Sequence, residues 1–146
     1  MPLRLVLDTN VWLDWLVFRD PGVNLLQSMA GTGDAEIVID AACAEELARV
    51  LTYPLQKWTL DAGRQAICMA QCLTIARMVE TRCSTTLPRC ADPDDQKFLE
   101  LAAGAEAHCL VSKDLALLAL ARHRPPLPFR IMTPAGFGAQ RSSPPA

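Results

Sequence analysis

The sequence predicts an α/β fold, a three-layer α/β/α sandwich around a mostly parallel central sheet. Three observations lead there. Short apolar runs without helical period recur along the chain, stretches with helical spacing separate them, and no internal repeat or low-complexity block interrupts the alternation. At 146 residues with 51% apolar content, the chain is expected to form one domain over residues 1–138, with residues 139–146 as a flexible tail.

LRLVLD at 3–8 is bounded by Pro2 and the turn-prone Asp8, Thr9 and Asn10, and reads as a buried strand. VWLDWLVF follows as a helix capped by Thr9 or Asn10, and Asp20, Pro21 and Gly22 break it. Val23, Leu25, Leu26 and Met29 mark a second helix, closed by the glycines at 31 and 33. EIVID at 36–40 is the next strand, and AACAEELARVL the next helix, stopped by Tyr53 and Pro54. From a cap at Thr59 a long helix is expected to about Val79, burying Leu60, Ile67, Met69, Ala70, Leu73 and Ala76. A strand or loop through Cys83 leads to a helix opened by ADPDD and ended near Gly104. HCLVS, LALLALA and FRIMT then read as strand, helix and strand.

No run approaches the roughly 20 apolar residues that cross a bilayer, and no export signal opens the chain, so the expected location is the cytoplasm, with no membrane partner. Six cysteines are then expected as free thiols. Cys68 and Cys72 lie one helical turn apart, but neither His108 nor His123 completes a zinc spacing. The net charge of −2 argues against a generally basic nucleic-acid binder. Its distribution is uneven, with 9 Lys/Arg against 15 Asp/Glu through residue 112 and 5 against 1 afterwards. Lys113, Arg122, Arg124 and Arg130 could form a phosphate-facing patch or a solvated surface.

The carboxylates carry the chemistry. Asp8 ends the first strand, Asp114 follows HCLVS, Glu45 and Glu46 lie on the helix after the second strand, and Asp92, Asp94 and Asp95 crowd a helix start. In a parallel α/β sheet these points share the rim where strands end. Each also has a local reading: Asp8 as a turn former, Glu46 as a surface acid, and Asp92 and Asp114 as helix caps. Four carboxylates within about 6 Å would repel by on the order of 15 kcal/mol at an effective dielectric near 20, unless protons or cations intervened. Oxygen-only donors suit Mg2+ or Mn2+, and such cations favour phosphoester chemistry.

LDTNVWL at 7–13, EELARVL at 45–51, ADPDDQKFLELA at 91–102, LVSKDLALL at 110–118 and IMTPAGF at 131–137 together resemble the PIN-domain family, and more narrowly its bacterial toxin–antitoxin toxin branch. The resemblance runs from about residue 3 to 138. It implies a PIN fold, metal-dependent cleavage of single-stranded RNA, a cognate antitoxin and a homodimer. Matched position by position, it makes Asp8, Glu46, Asp95 and Asp114 the catalytic, metal-holding acids, holding one or two ions. Asn10 and Ser112 become small polar supports, and Asp92 and Asp94 further acids of this branch. Helical geometry alone leaves open whether Asp94 or Asp95 faces the crevice, and whether Glu45 or Glu46 does.

Two features depart from the family pattern. Relatives usually carry Gly-Asp-x-Asp after the late strand, where this chain has Lys113, Asp114, Leu115 and Ala116, so the final acid is absent. Lys113 and Arg89 are candidate phosphate contacts. An aspartate-nucleophile phosphatase would need a second acid where Asn10 stands. The alternative from another class is a PIN-like module with weak or no turnover that binds RNA or an antitoxin. Trp12 with Leu16 reads as core, and Trp15 and Trp58 stay open as stacking surfaces.

Overall fold

The structure is a computed structural model that describes residues 2–57, 59–82 and 86–142, with side chains through 139. Trp58 and Cys83 lie outside the described residues.

Among the described residues five strands form one parallel sheet, β1 (Leu3–Leu7), β2 (Ala35–Ile39), β3 (Ala76–Met78), β4 (Cys109–Val111) and β5 (Arg130–Met132), in the order β3-β2-β1-β4-β5. Every neighbouring pair is parallel, with Leu5 against both Ile37 and Cys109. Alternate residues of a strand point to opposite faces, yet Leu5, Val6 and Leu7 are all at most 2% exposed. Both faces of the central strand are therefore covered, which is the sandwich the apolar runs predict.

Among the described residues the α-helices are α1 (Thr9–Leu16), α2 (Asn24–Thr32), α3 (Ala41–Val50), α4 (Ala62–Ile75), α5 (Gln96–Gly104), α6 (Leu115–Leu118) and α7 (Pro134–Ser142). Helix α2 ends at Gly33, whose φ of 83° is the left-handed conformation a glycine takes without a Cβ clash. Helix α5 buries Phe98, Leu99, Leu101 and Ala102 and packs on β1 and β4. This face pins the acidic helix start to the strand ends. Helix α7 continues to Ser142, past the boundary expected at 138.

Several local expectations are corrected. Asp8, not Thr9 or Asn10, caps α1, accepting from the Val11 N–H at 2.9 Å. Asp61, not Thr59, caps α4. That helix stops at Ile75, because residues 76–78 pair with Ile37–Ile39 as an edge strand. A pairing with β2 outweighs the helical propensity of Ala-Arg-Met. The face of α4 turned to the core carries Cys68 and Cys72, one turn apart, while Ile67 and Leu73 are each 49% exposed. The five described cysteines are free and buried. Burial pushes their thiols upward, to about 12 at Cys72, so they pack as small apolar groups. Trp12 is core, at 1% exposure.

Leu110 is fully buried in the strand next to the site. Leu110→Ala should destabilise the protein by about 3–5 kcal/mol in urea unfolding, the cost of a large-to-small change in a packed core.

Candidate metal centre at the sheet mouth

Strands β2 and β3 lie on one side of β1, and β4 and β5 on the other. The chain reverses its direction of winding at the β1–β4 boundary, and the crevice opens at the C-terminal ends of these strands. Asp8 leaves β1 there, its N–H donating to the Val111 carbonyl at 3.1 Å. Ser112, fully buried, joins the two strand ends: its hydroxyl donates to Asp8 Oδ2 and accepts the Asp114 N–H at 2.9 Å. Asp114 caps α6, accepting from the Ala116 N–H at 2.8 Å.

A 3-10 turn at Pro93–Asp95 precedes α5. Asp92 caps it through the Asp94 N–H at 3.0 Å. Asp94 is exposed and Asp95 turns inward, so the crevice receives Asp95. Asp92, Asp95 and Asp114 then each place a carboxylate oxygen within 4.8 Å of the others. Asp95 Oδ2 is buried and has no hydrogen-bond partner. Three converging carboxylates are suited to a hard cation, and the all-oxygen donor set fits Mg2+ or Mn2+.

Burial, and charge crowding after it, show in the titration of these groups. Burial raises Asp8 to about 6, against the hydrogen bonds from Ser112 and Val11, with Asp114 adding to the rise and Lys113 opposing it. Burial also raises Asp95 to about 7, reinforced by the charges of Asp114, Asp92 and Asp8.

Glu46 is buried and Glu45 exposed, so Glu46 is the acid that α3 turns inward. It stands apart from the trio. The Thr9 hydroxyl donates to Oε2, and the Lys97 ammonium lies 2.5 Å from Oε1. Asn10, expected as a support, is exposed, and Thr9 beside it makes the contact instead. Lys113 pairs with Asp14 of α1, which is only 7% exposed. The sequence pattern did not single out Asp14 or Lys97, and it offered Thr9 only as a helix cap. An acid inside the apolar run VWLDWLVF was the available signal for Asp14, because a buried carboxylate requires a partner. Arg89 lines a polar groove of about 530 Å3 with Asp40, Thr81, Thr86, Gln96 and Glu100.

A family profile described as "PIN domain" matches residues 4–116, and the chain belongs to that family. Among solved structures, it is similar to a chain in the crystal structure of VapBC2 from Rickettsia felis bound to a DNA fragment from their promoter. The similarity has a TM-score of 0.59 at 12% identity and covers 88% of this chain and 97% of that one, a likeness of fold. No curated protein matches the sequence significantly.

Because the folded-state values of Asp8 and Asp95 lie above the ordinary 3.8, these acids favour the fold below about pH 4 and progressively oppose it as pH rises through 6 to 7. In EDTA, Asp95→Asn should therefore raise the melting temperature at pH 8 by a few degrees, the gain shrinking toward pH 5. Thermal scans at the two pH values measure this, and an unchanged or lower melting temperature at pH 8 would show that the cluster is not repulsive.

Proposed function

We propose that the protein is a divalent-metal-dependent endoribonuclease that cleaves phosphodiesters of single-stranded RNA. It acts in the cytoplasm as the toxin of a toxin–antitoxin pair, as a homodimer with a cognate antitoxin. The observation that carries the reading is the Asp92, Asp95 and Asp114 trio, set within 4.8 Å beside Asp8 at the mouth of a PIN sheet. The similarity in fold to VapBC2 supports the toxin assignment. Among the described residues no helix is long and apolar enough to cross a membrane.

Asp8, Asp92, Asp95 and Asp114 would hold Mg2+ or Mn2+, whose role is to make hydroxide accessible at neutral pH and to stabilise charge developing at phosphorus. The chain supplies the positions. Ser112 keeps Asp8 turned to the crevice, and the cap at Ala116 N–H keeps Asp114 there. The buried face of α5 holds Asp95 against them. An ion that makes hydroxide accessible at neutral pH would leave no need for a side chain as a strong base. Lys113 and Arg89 are the candidate contacts for phosphates of the strand.

Ala116 stands where relatives usually carry a final acid, and this favours the second reading, a weak or inactive PIN-like module that binds RNA or an antitoxin. Cleavage of a labelled single-stranded RNA with Mg2+, Mn2+ or EDTA separates the two. The nuclease reading expects ion-dependent cleavage, with Asp8→Asn and Asp95→Asn each lowering kcat/KM beyond the about 10–100-fold typical of outer-shell partners, while the fold persists. Tight RNA binding without cleavage under either ion supports the module.

A further inference from the structure

Besides Asp8, the buried carboxylates among the described residues are Asp14 and Glu46, and each is paired with a lysine that neighbours a cluster acid. Lys97 follows Asp95 by two positions, and Lys113 immediately precedes Asp114. Glu46 lies on the β2 side of the crevice through α3. Thr9 and Asp14 both belong to α1, which packs against α3, and Asp14 meets Lys113 just past the end of β4.

This pairing conflicts with Glu46 as a metal ligand. One of its oxygens takes the Thr9 hydroxyl and the other an ammonium group at 2.5 Å. A divalent ion on the same carboxylate would sit against that ammonium, a like-charge contact in a partly buried site. The trio needs no such help, since its own oxygens already converge. An ammonium has three donors, and one is used at each anchor, so two remain for a ligand. The Lys113 side chain is 45% exposed and that of Lys97 22%, so both can reach a strand lying in the crevice.

We infer that the crevice is a single-ion centre held by Asp8, Asp92, Asp95 and Asp114, and that Glu46 and Asp14 are anchors. They fix the ammonium groups of Lys97 and Lys113 beside the cluster acids Asp95 and Asp114 as contacts for the phosphates of single-stranded RNA. The inference rests on the ribonuclease reading above. It differs from the family pattern in removing Glu46 from the ion and in assigning the flanking positive charge to the protein's own lysines. Fixed ammonium groups contact phosphate without being exchangeable, so removing either should cost affinity for the strand and not for the ion.

Calorimetric titration with Mn2+ and anisotropy with a short single-stranded RNA test it together, the latter in Ca2+ over a time in which gels show the RNA intact. Wild type should bind one Mn2+ per chain. Asp95→Asn should weaken Mn2+ binding more than about tenfold, and Glu46→Gln should leave it within about twofold. Lys97→Gln and Lys113→Gln should each bind Mn2+ no more weakly than wild type and reduce the slope of log affinity against log salt by about 0.7, one single-strand phosphate contact. Lys113→Arg should restore that slope. Two ions per chain, a tenfold loss of Mn2+ affinity in Glu46→Gln, or unchanged salt slopes in both lysine variants would overturn the inference alone. Absence of Mn2+ binding by wild type would overturn the nuclease reading and the inference with it.

Discussion

Mutual repulsion among carboxylates is the constraint around which this crevice is built. A parallel sheet gathers its strand ends on one rim, and here β1, β4 and the start of α5 deliver acids to it. Bringing Asp8, Asp92, Asp95 and Asp114 together is unfavourable in water and worse where burial removes solvent, as the raised titration of Asp8 and Asp95 shows. The packed faces of the sheet and of α5 supply the free energy that holds them there, through side chains such as Leu5, Leu99 and Leu110 that are wholly buried.

The acids are held by the same hydrogen bonds that begin helices. Asp8 uses Oδ1 to cap α1, Asp92 uses Oδ1 to cap the turn before α5, and Asp114 uses Oδ1 to cap α6. The second oxygen of each is left for the crevice or, at Asp8, for Ser112. Structural and functional roles are therefore one geometry, because a cap fixes the carboxylate against a short stretch of rigid backbone. Ser112 extends this rigidity across two strands by bonding both Asp8 and the Asp114 backbone. Around this cluster, buried Glu46 and Asp14 are satisfied by lysines, as buried carboxylates must be.

Much of this was legible in the sequence because it depends on short-range pattern. The runs LRLVLD and HCLVS are too short and too uniformly apolar to be surface helices, and both are strands of a sheet covered on both faces. Asp8 closes the first of those runs and Asp114 lies two residues past the second, so their place on the rim came with the strands. Choices between neighbours were not legible from spacing: Glu45 and Glu46, or Asp94 and Asp95, differ by about 100° around a helix, and only packing shows that the later member of each pair turns inward. The edge strand β3 was hidden because Ala76–Met78 has no strand signature of its own and is defined by its pairing to β2. The lysine pairs were hidden for a similar reason, since Glu46 and Lys97 are 51 residues apart in the chain. The Asp14 carboxylate inside an apolar helix did carry a signal, and only its partner required the fold.

The most direct test is an anomalous difference map from a crystal soaked in Mn2+. The account predicts one strong peak coordinated by Asp95 and Asp114, with Asp8 and Asp92 in its first or water-bridged shell, and with Lys97 still on Glu46. A cluster that stays empty at saturating Mn2+, or a peak bound elsewhere with the trio pointing apart, would contradict it.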